Sequence, residues 1–180
     1  MAKWATKIAR AIGFPPIARP DALVLVLGSM PSVASLAKGQ YYAHPRNAFW
    51  PMMGQLFGAG PELTYAKRKG ILLARRIAVW DVLGECSREG SLDSAIHPAS
   101  ESANDFATFF RKHRQISAVF FNGQKAETAF RRHVAADVLR LGRTLSFTRL
   151  PSTSPAHAGR RFEEKLAAWQ AVKRALELNQ

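Results

Sequence analysis

The sequence lacks the residues that several common classes of protein require. Its single cysteine, Cys86, excludes an internal disulfide and a multi-cysteine metal site, as expected for a protein of the reducing cytoplasm. It has no run of about 18 uncharged apolar residues, so no membrane-spanning helix is predicted. Acidic residues are scarce as well, because 13 Asp and Glu stand against 26 Lys and Arg, a formal net charge of +13. Such an excess favours polyanionic partners, and nucleic acid is the leading one.

Familiar cofactor and catalytic motifs are also missing. There is no GxxxxGK[ST] loop to cradle phosphates and no GxGxxG spacing for a dinucleotide. No GxSxG elbow is present, although the sequence alone leaves a Ser–His–Asp triad open. None of the histidines has the spacing of a metal ligand; they are His44, His97, His113, His133 and His157. We therefore expect no metal and no organic cofactor.

The apolar pattern predicts one α/β domain over residues 1–180. Short apolar runs of strand length occur at 23–27, 77–82, 117–122 and 145–150. Helical spacing separates them, with helices predicted over 46–57, 62–75, 104–114, 124–139 and 160–178. Residues 1–16 are predicted to form a short basic amphipathic helix. Strands separated by helices indicate a parallel sheet with helices on both faces.

Four polar loops follow the four predicted strands. They read GSMPS from Gly28, WDVLGECSREGSLDS from Trp80, NGQKA from Asn122 and LPSTSPAHAGR from Leu150. Ligands of such sheets bind at the carboxyl ends of the strands. The segment 28–50 is also too long for an ordinary connection between a strand and a helix, which indicates a binding loop.

These loops carry a family resemblance. The motifs GSMPS, YYAHPRNAFW, VWDVL, FFNGQKA and LPSTSPAHA resemble those of the uracil-DNA glycosylase superfamily, and in particular its hypoxanthine-type branch, the DNA-deoxyinosine glycosylases. The resemblance runs from Leu23 to the final helix. It implies a three-layer α/β/α fold around a four-stranded parallel sheet. It also implies a monofunctional enzyme that hydrolyses the N-glycosidic bond of a flipped deaminated base in DNA, during base-excision repair.

The resemblance assigns the catalytic step to the first loop. Gly28, Ser29 and Met30 form the turn that approaches the sugar and its water, with Ser29 where many members have an acidic residue or an asparagine. The hypoxanthine-type branch uses instead the asparagine of HPRN, here Asn47, to position water. Tyr42 is expected to stack on the flipped base. The alternatives are a helix cap or first-turn position for Asn47 and a core position for Tyr42.

Two residues at strand ends are expected to read the base. Asp81 lies where relatives place an asparagine, and a carboxylate there can accept a hydrogen bond but can donate one only when protonated. The amide of Asn122 can do both. The alternative for each is that it satisfies nearby loop backbone.

The last loop is expected to grip DNA. Leu150 stands where relatives often have a histidine that stabilises the departing base, so other groups must take over that role. Hydroxyls for phosphate contacts and further DNA-facing side chains follow it: Ser152, Thr153, Ser154, His157, Arg160 and Arg161. The only lysines in these loops are Lys38 and Lys125, so a Schiff-base lyase step is not expected.

The predicted partner is thus DNA that contains deaminated bases, bound by a cytoplasmic, nucleoid-associated monomer. One alternative is a binding module of the same fold that grips damaged or single-stranded DNA without cleaving it. Another is an RNA- or nucleotide-processing hydrolase. The sequence leaves open the choice among hypoxanthine, uracil and xanthine, and the preference for strandedness and opposite base.

Overall fold

The computed structural model describes residues 9–178. Within this range the strands are β1 (Ala9–Ile12), β2 (Val24–Gly28), β3 (Ile77–Asp81), β4 (Leu83–Arg88), β5 (Ser102–Ala103), β6 (Ala118–Asn122) and β7 (Ser146–Leu150). The α-helices are α1 (Val33–Lys38), α2 (Phe49–Phe57), α3 (Tyr65–Ala74), α4 (Phe106–Lys112), α5 (Gln124–His133), α6 (Ala135–Arg140) and α7 (Phe162–Glu177). Two 3₁₀ turns cover Asp93–Ala95 and Pro98–Ser100.

The central sheet has four parallel strands in the order β3-β2-β6-β7. All four come from the apolar runs of the sequence. Every residue of β2 and β3 is buried, as expected for parallel strands that are covered on both faces. Strand β7 lies at the edge, and of its five residues only Leu150 is buried.

Helices cover the sheet in two groups, which confirms the three-layer α/β/α fold. Helices α2 and α7 meet where the rings of Phe49 and Trp169 approach edge to face, with centroids 5.9 Å apart. In the other group, Phe130 of α5 contacts Phe106 of α4 and Phe121 of β6. The indole of Trp169 also donates a hydrogen bond of 3.0 Å to the carbonyl of Pro151, which ties α7 to the loop after β7.

A second, smaller sheet was not predicted. Strand β4 pairs antiparallel with both β1 and β5. The prediction of a helix over residues 1–16 is therefore wrong for residues 9–12, while residues 1–8 lie outside the described range. Alternating burial is the reason, since Ala11 is buried and Ile12 is 63% exposed. Residues 83–88 were expected to belong to a loop and instead form β4, where Cys86 is buried.

The predicted helix over 124–139 is interrupted. Val134 has φ −124° and ends α5, and α6 starts at the next residue. Its side chain is buried, so the apolar periodicity continues through the break and conceals it. The long loop after β2 also contains a helix that was not predicted, α1, which Ser32 caps by accepting a hydrogen bond from the Ser35 N–H.

The strand ends meet at one edge of the sheet. Gly28 is paired with Asp81 across β2 and β3, and Asn122 with Leu150 across β6 and β7. Gly123 follows with φ +94°, and a Cβ there would lie 2.9 Å from the Cβ of Ser152. Glycine is therefore required at this position both for its backbone conformation and for the close approach of the last loop.

Candidate active site

A cavity of about 730 Å³ lies at the carboxyl ends of the central strands. That volume is typical of small-molecule sites. Most of the residues singled out in the sequence line it: Gly28, Ser29, Met30, Tyr42, Asn47, Asp81, Asn122, Ser152, Thr153, Ser154 and His157. Arg160 lines an adjoining groove of about 470 Å³, which shares Ser152 and His157 with the cavity. Arg161 lines neither of the two.

Asp81 is the most unusual group in the cavity wall. Its residue is 3% exposed, and its Oδ2 atom is buried without a hydrogen-bond partner within the described residues. Burial, reinforced by the charge of Asp93 and opposed by that of Arg88, raises the pKa of Asp81 to about 8. The carboxyl group is therefore mostly protonated at neutral pH.

Neighbouring residues fix the position of this carboxyl group. A Cβ on Gly28 would lie 2.2 Å from Oδ1 of Asp81, so only glycine leaves room for it. On the backbone side, the amide of Asn104 donates a hydrogen bond of 2.9 Å to the Asp81 carbonyl. The next residue, Asp105, caps α4, where its Oδ1 accepts a hydrogen bond of 2.9 Å from the Thr108 N–H.

Tyr42 is held in a strained conformation beside Asp81. Its φ of +54° is rare for a residue with a side chain, and such outliers concentrate at functional sites. The ring stacks on Phe49 with centroids 4.0 Å apart, so at most one face remains for a ligand. Its hydroxyl is buried without a well-formed hydrogen bond. Burial and the nearby Asp81 raise the pKa of Tyr42, although the adjacent amide of Asn122 lowers it in part.

Asn47 lines the cavity and also supports a helix. Its Oδ1 accepts a hydrogen bond of 2.9 Å from the N–H of Phe49, the first residue of α2. The N-cap of α2 is Ala48, so Asn47 lies one residue before it, but its side chain satisfies the N–H of the first helical residue, a contact close to the cap that was the alternative to a role in catalysis. A carbonyl oxygen has two lone pairs, so the second remains able to bind water.

Asn122 and Thr153 form a closed pair. The amide of Asn122 donates to the Thr153 hydroxyl at 2.8 Å, and its oxygen accepts from the Thr153 N–H at 2.9 Å. Thr153 is 1% exposed, and its carbonyl accepts from Ala48 at 3.0 Å. Thr153 therefore joins the last loop to β6 and α2. Its neighbours in that loop, Ser152 and Ser154, are only half-buried.

The structure adds a carboxylate for which the sequence suggested no role. Asp93, in the first 3₁₀ turn, lines the cavity, and its Oδ1 accepts a hydrogen bond of 2.6 Å from the Ser29 hydroxyl. The sequence signal was weak, because Asp93 is one polar residue in a polar loop. Its position depends on the strand pairing of β4, which was not predicted.

Lys125 also lines the cavity, but its side-chain nitrogen is bound in an ion pair. It forms an ion pair with Glu101, whose side chain is 1% exposed. His133 and Arg132 complete the surroundings of that carboxylate, with Nε2 and Nη1 atoms 2.7 and 3.8 Å from its Oε2. Burial acts to raise the pKa of Glu101, but its hydrogen bonds and charge interactions with Lys125 and His133 lower it on balance.

The adjoining groove is basic. Arg149, Arg160 and Lys165 line it, and the Lys165 ammonium donates a hydrogen bond of 2.8 Å to the carbonyl of His157. No ion pair of Arg160 is found within residues 9–178. Arg161 lies at the start of α7, where its N–H donates to the Glu164 carboxylate at 2.9 Å.

Two kinds of feature are absent from the described residues. Between residues 9 and 178, no group of three or more His, Cys, Asp or Glu side chains is arranged to hold a metal ion. Over the same range, no helix combines the length and apolarity that a membrane crossing requires.

Comparisons with known proteins agree with this architecture. The family model of the uracil DNA glycosylase superfamily matches residues 15–174. A hypoxanthine DNA glycosylase of Methanosarcina acetivorans is 36% identical over 164 residues, which cover 90% of this chain and 97% of the relative. One of Methanosarcina barkeri is 36% identical over 115 residues, covering 63% and 72%. A solution NMR structure from M. acetivorans, named for uracil DNA glycosylase, has a TM-score of 0.76 and 34% identity, covering 94% of this chain and 99% of its own. The chain therefore belongs to the uracil DNA glycosylase superfamily.

Proposed function

We propose that the protein is a monofunctional DNA glycosylase of base-excision repair. It hydrolyses the N-glycosidic bond of a deaminated base, with hypoxanthine as the leading substrate and uracil and xanthine as further ones, and leaves an abasic site. The observation that carries this proposal is the cavity at the strand ends, which joins a buried carboxyl group with a raised pKa, an aromatic ring and the side-chain amide of Asn47. The names of the two Methanosarcina relatives support the same activity.

The other readings are less favoured. Both named relatives are DNA glycosylases, which argues against a non-catalytic binding module and against a hydrolase of RNA or free nucleotides. We further propose that the chain acts as one domain and without a cofactor, because its own side chains supply the cavity groups to which the reaction is assigned. A cytoplasmic monomer stays the prediction from the sequence. Lys125 is held by Glu101 as an ammonium ion, which makes it a poor nucleophile for a lyase step.

DNA binding follows from charge. A base inside a duplex cannot reach the cavity, so the enzyme extrudes it and must offset a few kcal/mol of lost stacking. The net charge of +13 supplies contacts to phosphates that do not depend on sequence. Arg160 and His157 in the basic groove, with Arg161 beside it, are the proposed contacts, together with Ser152 and Ser154. Thr153 acts by holding the loop in place.

The extruded base is recognised by Asp81 and Tyr42. Hypoxanthine and uracil each present an N–H group next to a carbonyl. A protonated carboxyl group can accept from that N–H and donate to that carbonyl, whereas a carboxylate can only accept. As the glycosidic bond breaks, negative charge develops on the base, and a donor at its carbonyl oxygen stabilises that charge. Asp81 thereby stabilises the departing base, which is the role of the histidine that relatives often have at the position of Leu150. The free face of Tyr42 stacks on the base. Asn122 holds the wall of the cavity through its hydrogen bonds with Thr153.

Water is positioned by the loop that follows β2. Gly28 and Met30 shape the turn that receives the sugar, and Ser29 lies in the same turn. Asn47 holds the attacking water through the second lone pair of its Oδ1 atom. An amide does not take up a proton near neutral pH, so its contribution is orientation alone.

Base release from a defined duplex tests this function. A duplex with one deoxyinosine should become alkali-labile at that nucleotide on incubation with the protein, and an undamaged duplex should not. Parallel substrates with uracil or xanthine, in single and double strands, give the lesion preference. Tight binding of lesion duplexes without any alkali-labile product would favour the binding module instead.

Asn47→Ala should reduce single-turnover base release about 10²-fold, the scale of one lost positioning contact. It should also cost about 1 kcal/mol of stability, because the contact with the Phe49 N–H is lost. Asn47→Asp keeps an acceptor for that N–H and should keep the stability. Thr64→Ala is a matched control, since Thr64 caps α3 and lies outside the cavity lining. Equal rates for Asn47→Ala and Thr64→Ala would leave Asn47 with the capping role alone.

Asp81→Asn should stabilise the protein, and increasingly so as the pH rises. The Asp81 pKa is about 8 in the folded chain against an ordinary value of 3.8, so folding retains a proton that the unfolded chain loses between these values. The stability of the wild type therefore declines by about 1.4 kcal/mol for each pH unit in this window, and an amide removes that decline. Thermal melts from pH 5 to about 9, with exposed Asp137→Asn as the control, measure it. A melting-temperature difference between Asp81→Asn and wild type that does not change with pH would contradict the buried, protonated state.

A further inference from the structure

The turn GSMPS after β2 contains no acidic residue, but the fold brings the carboxylate of Asp93 next to it. Ser29 donates its hydroxyl proton to Oδ1 of Asp93 at 2.6 Å, a distance typical of a hydrogen bond to a charged carboxylate. The two residues are 64 positions apart in the sequence. Strand β4 and the following turn bring Asp93 to the end of β2.

The second oxygen of Asp93 is available. Within residues 9–178, its Oδ2 atom has no hydrogen-bond partner and no ion pair, although the residue lines the cavity. A free carboxylate in a DNA-binding cavity repels phosphates and so weakens binding of the substrate. This cost indicates a role for Asp93 in the chemical step.

Other titratable groups in the cavity wall are poorly suited to accept a proton from water. Burial raises the pKa of both Tyr41 and Tyr42, which therefore stay neutral. Asp81 already holds its proton at pH 7. Lys125 is paired with Glu101 as an ammonium ion. His157 is exposed in the loop that we expect to contact phosphates. It is the remaining candidate for accepting the proton among the cavity-lining groups considered, and the experiment below tests it directly.

We propose that Asp93 is a catalytic residue, which accepts the proton of the attacking water while Ser29 fixes its orientation. This inference rests on the proposed glycosylase function. The water oxygen bonds to C1′ of the deoxyribose as the C1′–N bond breaks, and the bonding electron pair leaves with the base. The water proton passes to Oδ2 of Asp93. The base anion later takes a proton from solvent, and Asp93 returns its own proton to solvent.

The same carboxylate also acts by its charge. The sugar becomes cationic as the base departs, and an anion near the attacking water stabilises that cation. Asp93 in addition contributes to the raised pKa of Asp81, so the two carboxyl groups lie in different electrostatic environments. Such a division between neighbouring carboxyl groups is typical of an acid–base pair.

Asp93→Asn tests this role, because the amide keeps the shape and can still accept from Ser29. Single-turnover release of hypoxanthine from a deoxyinosine duplex should fall about 10²-fold or more. Affinity for a duplex with a stable abasic-site analogue should stay the same or increase, since a repulsive charge is lost. The wild-type rate should decline at acid pH, and this decline should be absent from Asp93→Asn.

Glu89→Gln is the matched control, since it removes an exposed carboxylate from the same connection, outside the cavity lining, and should leave the rate unchanged. Ser29→Ala should give a smaller loss than Asp93→Asn, and His157→Ala should weaken binding more than the rate. Release by Asp93→Asn within about threefold of Glu89→Gln, well short of the loss expected for a general base, would overturn the inference while leaving the glycosylase function intact. No release by the wild type from any lesion duplex would overturn both.

Discussion

The burial of one carboxyl group at the end of β3 is the constraint on which the rest of this site depends. Asp81 is 3% exposed and its Oδ2 atom lacks a partner within the described chain, so the protein leaves a polar atom for a ligand to satisfy. Gly28 must be glycine because any Cβ would meet Asp81, and Tyr42 adopts a strained φ beside the same carboxyl group. These features reduce stability in the absence of substrate. They are repaid only when an N–H or carbonyl group of a base reaches the cavity, which is how preorganised sites bind selectively.

On the proposed assignments, two groups that the resemblance places in particular loops are supplied by other parts of the chain. The turn after β2 has Ser29 and no acidic residue, yet a carboxylate reaches it as Asp93 from the connection after β4. Leu150, at a position where the resemblance leads one to expect histidine, is buried and apolar. Its proposed replacement, Asp81, lies on a different strand. Asp81 reaches the cavity because the carboxyl ends of parallel strands converge. Asp93 reaches it by a different route, from the 3₁₀ turn that follows the antiparallel strand β4.

The central sheet could be predicted from sequence because buried parallel strands are continuous apolar runs, as in β2 and β3. The loops that line the cavity could be placed for the same reason, and the motif resemblance supplied Tyr42, Asn47 and Asp81. Asp93 could not be found, since it lies in the turn after β4, and the residues of β4 were assigned to a loop. Nor could the sequence decide between capping and catalysis for Asn47, which makes the capping contact and lines the cavity at once.

The protonation of Asp81 is the central claim, and it can be measured directly. The carbon-13 shift of the Asp81 carboxyl carbon, assigned by comparison with Asp81→Asn, should titrate near pH 8 in the free protein. Asp93→Asn should move this midpoint to lower pH, because the charge of Asp93 helps to raise it. A midpoint near the ordinary value of 3.8, unchanged in Asp93→Asn, would contradict the account, since Asp81 would then be a carboxylate that cannot donate to the base.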